Sequence, residues 1–424
     1  MFPTIVANNE RLCTFVEQLS LPLNARQLRH VTNVADGLLV TEGRKTIAGI
    51  HRQFVGCPDV SNIADTFRIA PWQEDHILKP LTQFMIQDMI KDQRAKEQSP
   101  IVLVGLDDSL AIKDPGTRHL QGVDFHHDHA AKRRLRAKYQ NALAYLLCTV
   151  MVGERTFTFA AEPYLREKTV RRLNRERQNR PRLHYKSKYR LARHILEELR
   201  ALLPNDVRVY VLCDAWYASA RLMKYCRRQG WHIICRVQSN RRLSGQQISQ
   251  CALAQRHRRY AHVDITAADG TKITYCVRSM TGRLSDVPFD VCGLESRWHP
   301  RDKYPVYFIS TDLTLSPQQA LQYYAKRWNC EVDNFYMKQR LGLSDFRLQP
   351  YEAIKKYFAV VLLAWAYVQW RRAPRQHGQE HNAGAIIRQH RAEHAEQTLI
   401  VACQEAIATG SIDAVRKRFL RQTA

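Results

Sequence analysis

Two runs of consecutive apolar residues, each stopped by aspartate, restrict this chain more than any other feature. Ile101-Val-Leu-Val-Gly-Leu106 runs into Asp107-Asp108-Ser109, and the stretch from Val207 to Cys213 runs into Asp214. A strand with one wet face alternates apolar and polar residues. A run without alternation belongs to a strand covered on both faces, which calls for helices on either side of a sheet. After Asp214 a helical stretch (218–229), a stop at Gly230 and a further strand (232–237) complete a βαβ unit. Residues 143–152 and 156–160 read as neighbouring strands, and 304–310 as another core strand. The expectation is an α/β fold: a mixed sheet with flanking helices.

Around that core the chain divides by pattern. Residues 1–97 carry a helical period and no convincing strand, as a helical N-terminal DNA-binding domain would. Within them Lys45–Arg52 reads equally as a small DNA-binding helix or a packing helix. The core spans 98–239 and 301–350, interrupted at 240–300 by a polar, strand-like insertion in which Asp269-Gly270 forms a hairpin turn. Ser316-Pro317-Gln318-Gln319 opens a long helix, with serine as N-cap and proline in the first turn. Residues 351–424 are expected to be helical, and the apolar run Phe358–Trp370 is too short for a bilayer and reads as a buried helix.

Carboxylates at the ends of adjacent buried strands, with another acid on a nearby helix, are what phosphodiester cleavage needs. Two divalent ions about 4 Å apart can activate water and stabilise the leaving oxygen, and hard Mg²⁺ prefers carboxylate oxygens. Asp107 or Asp108 ends the first strand and Asp214 the second. In a strand these two neighbours point to opposite faces, both expected to be covered, so the pattern does not choose between them. The bland alternative is that each aspartate merely starts a loop. In the long helix Tyr324, Arg327, Glu331 and Lys338 lie at offsets 0, 3, 7 and 14. At 100° per residue these fall within an arc of roughly 60°, so one face presents a phenol, a guanidinium, a carboxylate and an ammonium. An exposed ion-pair stripe of Arg327 with Glu331 explains that face equally well.

Charge narrows the partners. Lys and Arg number 65 against 40 Asp and Glu, a net charge of +25. Such an excess is the footprint of a polyanion-binding protein, nucleic acid above all, although a generally basic surface is the alternative. Residues 166–193 hold twelve Lys or Arg, Lys186 and Lys188 among them, and read as an exposed basic segment running into a helix at 191–203. The cysteines lie far apart without a Cys-x2-Cys pair, as buried thiols in a reducing compartment do. The N-terminus shows no signal peptide and the chain no phosphate-binding Gly-x4-Gly-Lys-Ser/Thr loop. The expectation is a soluble cytoplasmic protein without a nucleotide cofactor and without a membrane partner.

The pattern Tyr324-x2-Arg327-x3-Glu331-x6-Lys338 resembles the YREK signature of the DDE transposases of bacterial insertion sequences, a DDE-superfamily group similar to insertion sequence four. Phe308–Leu313, Val211–Ser219 around Asp214, and Asp107-Asp108-Ser109 resemble that family's flanking elements. The likeness covers residues 100–345 well and the ends loosely. It implies a ribonuclease-H-like core with a β-rich insertion before the glutamate, and Glu331 follows Asp214 by 117 positions. It implies that Asp108, Asp214 and Glu331 bind two Mg²⁺ ions, with Mn²⁺ able to substitute; the aspartate directly before Ser or Thr is the family's catalytic one. Arg327, Lys338 and Tyr324 would contact DNA, with Lys186 and Lys188 adding to the basic surface. The partner would be double-stranded DNA, both transposon ends and target, handled by a dimer or larger assembly in the bacterial nucleoid.

His126-His127-Asp128-His129 suggests a metal site, but adjacent residues rarely converge on one zinc. They are expected instead in an exposed loop beside the basic run Lys132–Lys138. Trp298 reads as a packed tryptophan or as a stacking platform for a flipped base. Two rival functions remain: a metal-dependent nuclease or resolvase on the same fold, and a domesticated DNA-binding protein without catalysis.

Overall fold

The computed structural model describes residues 3–56, 60–96, 100–128, 139–177, 181–266, 270–372 and 382–419. Helices α1 (Glu10–Gln18), α2 (Ala25–Val40), α3 (Ile47–His51), α4 (Val60–Arg68) and α5 (Asp75–Arg94) come first. Then follow strands β1 (Ile101–Ile112), β2 (Asp124–His127), β3 (Tyr139–Val152) and β4 (Arg155–Tyr164), and helices α6 (Glu167–Glu176) and α7 (Lys188–Leu202). The βαβ unit is β5 (Arg208–Cys213), α8 (Ala220–Arg228) and β6 (His232–Val237).

Across 240–300 lie the short strands β7 (Arg242–Leu243) and β8 (Gln246–Gln247), helix α9 (Ile248–Ala254), and strands β9 (Ala261–Thr266), β10 (Lys272–Arg283) and β11 (Asp290–Arg297). The chain returns through β12 (Val306–Ser310) to α10 (Pro317–Ala325) and α11 (Trp328–Gln339), and closes with α12 (Tyr351–Arg372), α13 (Ala383–Thr409) and α14 (Ile412–Phe419).

One large mixed sheet runs in the order β2-β3-β1-β5-β6-β12-β11-β10-β9, with β4 also paired to β3. β1 pairs antiparallel with β3 and parallel with β5, and β5 pairs parallel with β6. Both β1 and β5 are buried along their apolar runs, as unalternating strands must be. This is the expected mixed α/β architecture, a ribonuclease-H-like core with helical ends. Helix α12 has no polar face over residues 353–370 apart from buried Lys356 and Gln369 and from Lys355, which pairs with Glu74, and it packs against β4, α2, α4, α5 and α13. No helix among the described residues is long and apolar enough to cross a membrane.

Several local expectations change. Within the segment 240–300, β9–β11 extend the core sheet, because β11 pairs with β12 and β12 with β6. β9 and β10 form the expected hairpin; Gly270 takes φ +84°, while Asp269 lies outside the described residues. The basic segment after Arg166 is partly helical, since Thr169, Val170 and Leu173 of α6 are buried. Lys45–Arg52 packs: Ile50 of α3 is buried, and the buried Lys45 ammonium donates to the Thr41 carbonyl. His126 is no loop residue either. It sits buried in β2 beside Tyr164, and burial lowers its imidazole pKa to about 4; His129 and Lys132–Lys138 lie outside the described residues.

Candidate active site

Register decides what the two strand-end runs present. Leu106 of β1 stands beside Cys213 of β5 in a parallel pair, so Asp107 and Asp214 come next. Contrary to expectation β1 does not end there but runs on to Ile112 against β3, so Asp107 and Asp108 lie within the strand while Asp214 directly follows β5. Leu103 of β1 and Tyr210 and Leu212 of β5 share an apolar cluster with Ala320 and Leu321 of α10. Alternation carries Asp107 and Asp214 to that same face. Gly105, two residues before Asp107, shows how closely α11 lies on it: a Cβ there would come within 2.3 Å of Cys330 Sγ. Only glycine lets the helix approach its strand so closely.

That helix carries Glu331. The segment opens as expected, with a reciprocal cap between Ser316 and Gln319. It is not one long helix, however. Between α10 and α11 the backbone tightens, with Lys326 N donating to Tyr323 O and Arg327 N to Tyr324 O, three residues back rather than four. This tightened turn joins α10 to α11 and keeps Tyr324 beside Arg327. The Tyr324 ring packs edge-on to Phe308 at 4.8 Å and lies 5.9 Å from the Arg327 guanidinium, which reaches on to Asp107 of β1 and to Glu331.

Arg327 links the acids. Its guanidinium donates to Asp107 Oδ2 at 3.1 Å and to Glu331 Oε1 at 2.8 Å. Asp108 points to the opposite side and pairs with Lys188 of α7, whose ammonium also lies 5.7 Å from the Tyr164 ring. Asp214 is oriented by its own turn, with Oδ1 accepting from Trp216 N at 3.0 Å and Tyr217 N at 3.3 Å. Lys338 reaches back to β1, donating to Leu110 O at 3.0 Å and Ser109 Oγ at 3.4 Å, and burial lowers its pKa. Lys186 is exposed on another side, at a cavity lined by Glu74, Glu162 and Glu198.

The electrostatics mark Asp107. Burial pushes its carboxyl pKa up to about 6; Arg327 and the Asp108 amide oppose that shift, and the charges of Glu331 and Asp108 add to it. Arg327 stands between Asp107 and Glu331 and supplies the pair with positive charge. The donor set is all oxygen and hard, so these residues fit a divalent ion such as Mg²⁺. The carboxylates are not drawn into a tight cage, since the one group of ligand atoms within 4.8 Å of one another among the described residues lies elsewhere.

Three further residues belong here that the sequence pattern does not single out. The buried Tyr217 hydroxyl has its pKa raised by burial and then by Asp108, Asp214 and Asp107. Asn334 of α11 accepts from the Tyr145 hydroxyl at 2.6 Å and donates to Ser109 Oγ at 3.0 Å, fixing α11 on β1 and β3. Asp333, fully buried behind Glu331, accepts from Thr158 Oγ1 at 2.8 Å and Gln369 Nε2 at 3.0 Å, and burial pushes its pKa up to about 7. A polar residue every third or fourth position of α11 is the available signal for the last two. Beside the site Trp298, Tyr304 and Trp328, each more than half exposed, line a cavity of about 270 Å³ with Tyr324 and Arg327.

Two family models match the chain. One, described as DDE superfamily endonuclease, covers residues 14–268; the other, described as Transposase DDE domain, covers residues 185–367. No curated protein matches it.

Proposed function

This chain belongs to the DDE superfamily of endonucleases, and from that membership we propose that it is a DNA transposase which cuts the ends of an insertion sequence and joins them to target DNA. The superfamily implies a divalent metal, and the transposase family implies DNA as substrate. We assign the metal-binding carboxylates to Asp107, Asp214 and Glu331. What carries this reading is the in-register arrival of Asp107 and Asp214 on adjacent parallel strands, beneath the helix that bears Glu331. Asp108, the acid favoured by family likeness, serves the other face with Lys188.

Bound Mg²⁺ would supply an activated water and stabilise the leaving oxygen. The chain's own residues do the rest. Arg327 holds Asp107 and Glu331 in place and offers its guanidinium to an entering phosphate. Lys338 acts as a positioning residue, tying α11 to β1 through Leu110 O. Tyr324, with its ring packed on Phe308, forms part of the wall of the aromatic cavity, where Trp298 is exposed for stacking on a base of the cleaved end. The terminal inverted repeats are bound by the basic surface. Two element ends and one active site per chain make a dimer on DNA the working unit.

The test is a reaction with end DNA, Mg²⁺ and a target plasmid. Wild type is expected to yield joined products, while Asp107→Asn, Asp214→Asn and Glu331→Gln bind the ends without cutting. Loss of cutting in Asp108→Asn together with retention in Asp107→Asn would reverse the assignment of the first acid. Cutting without joining would move the function to a nuclease or resolvase of the same fold.

A further inference from the structure

Far from these acids, three metal-ligand side chains meet in the helical part of the molecule. Asp36 of α2 and His390 and His394 of α13 are all fully buried, with their side chains at 0% exposure. His390 Nε2 lies 2.7 Å and His394 Nε2 2.8 Å from the same oxygen, Asp36 Oδ1. The other oxygen, Oδ2, accepts from Asn9 N at 2.9 Å, which turns Oδ1 toward the imidazoles. The two histidines stand four residues apart on one face of α13, the His-x3-His spacing of a helical metal site. The sequence carries that signal far from the histidines at 126–129.

Hydrogen bonding alone leaves this cluster unsatisfied. With both imidazoles neutral, each Nε2–H donates to Asp36 and the carboxylate stays buried without a counter-ion, a costly state. Each Nδ1 must then find a donor. His390 Nδ1 has the Tyr367 hydroxyl at 3.5 Å, but His394 Nδ1 is buried without a partner. His394 Nδ1 stays without a partner with or without metal, so what a cation adds is neutralisation of the buried Asp36. A divalent cation at the point where the three atoms converge would neutralise the carboxylate and use the Nε2 lone pairs directly.

We propose that Asp36, His390 and His394 bind one structural Zn²⁺, or a cation of similar borderline chemistry, which clamps α13 onto α2. Two imidazole nitrogens and one carboxylate oxygen favour Zn²⁺ over the Mg²⁺ of the active site. Zinc bonds of about 2.0–2.2 Å set tetrahedral donors about 3.3 Å apart, so loading swings the imidazoles outward by roughly half an ångström. The ion sits where no substrate reaches it and serves the fold.

Full-length protein carrying Asp214→Asn and Glu331→Gln removes the active-site contribution. Purified without chelator and dialysed, it should retain one equivalent of zinc by elemental analysis. After chelation it should take up Co²⁺ with the visible bands of tetrahedral nitrogen–oxygen ligation, and its Tm should rise again on adding Zn²⁺. Adding His394→Gln should abolish the retained equivalent and the Tm response. No retained zinc, no Co²⁺ bands and a Tm indifferent to both Zn²⁺ and chelator would overturn the site and leave a hydrogen-bonded cluster. This reading comes from the unsubstituted ligands alone if the His394 variant fails to fold.

Discussion

Asp107 and Asp108 share a peptide bond and face different surroundings. Asp107 meets Arg327 and the α11 side, and Asp108 meets Lys188 of α7. Cleavage by Asp107→Asn should fall by more than about 100-fold, because loss of partners outside the metal shell alone costs about 10–100-fold. Cleavage by Asp108→Asn should stay within about tenfold of wild type, as expected for loss of a partly exposed ion pair. The raised carboxyl of Asp107 adds a second consequence. A carboxyl whose folded pKa lies above its unfolded value favours the fold below the unfolded pKa of 3.8, and that contribution is lost as pH rises through about 6. Without metal, Asp107→Asn should therefore melt above wild type at pH 8, by a free energy on the order of 2–3 kcal/mol, and show no such gain at pH 4. Thermal melts at both pH values check this; a variant less stable than wild type at pH 8 would contradict the raised carboxyl. Where the metal must displace that proton, the acid limb of the cleavage rate lies near pH 6 and moves lower as Mg²⁺ is raised.

At the scale of elements, the site depends on how α11 lies on β1. Gly105 permits the approach, and Asn334, Lys338 and Arg327 hold the helix to the strand. In Gly105→Ala the new methyl meets Cys330 Sγ, which is itself buried in the interface, so the helix must shift. The cost should be about 1–3 kcal/mol, with cleavage reduced as Glu331 moves away from Asp107. Pairing it with Cys330→Ala should recover part of the stability in a double-mutant cycle, and strict additivity of the two would refute the contact. The tightened turn between α10 and α11 belongs to this scale as well. A helical wheel places Tyr324 on the same face as Arg327, and the guanidinium lies 5.9 Å from that ring. Across the three-residue bonds at Lys326 and Arg327 the Tyr324 ring also packs on Phe308.

Over the whole molecule the excess of 25 positive charges sets the long-range behaviour. If the basic surface binds DNA ends, affinity should fall steeply with salt, by about 10³–10⁵-fold between about 50 and 200 mM for some 6–10 phosphate contacts. A shallow salt slope in a binding titration would tell against phosphate neutralisation as the main attraction. The two helical ends are parts of one packed body. α12 lies against α2, α4, α5 and β4, and the Tyr357 hydroxyl donates between the carbonyls of Lys45 at 3.2 Å and Gly342 at 2.8 Å. The buried Asp36 with His390 and His394 extends that joint to α13.

The sequence alone determined the order and kind of the central elements, the strand-end position of Asp214, the helical setting of Glu331, the buried character of α12 and the family likeness. These follow from local rules: unbroken apolar runs, helical periodicity, caps and short motifs are all written within a few residues of one another. That β1 continues past Asp107 and Asp108 to Ile112 was decided by its pairing with β3. Which aspartate faces Glu331 was decided by the tertiary structure, because both faces of β1 are covered and the choice depends on which layer carries α11. Contacts between distant parts were equally out of reach. The continuation of the main sheet into β9–β11, the packing of Lys338 on β1, and the meeting of Asp36 with residues more than 350 positions away each depend on strand register or helix docking. Such contacts reflect the burial of many side chains at once, and no short stretch of sequence encodes them.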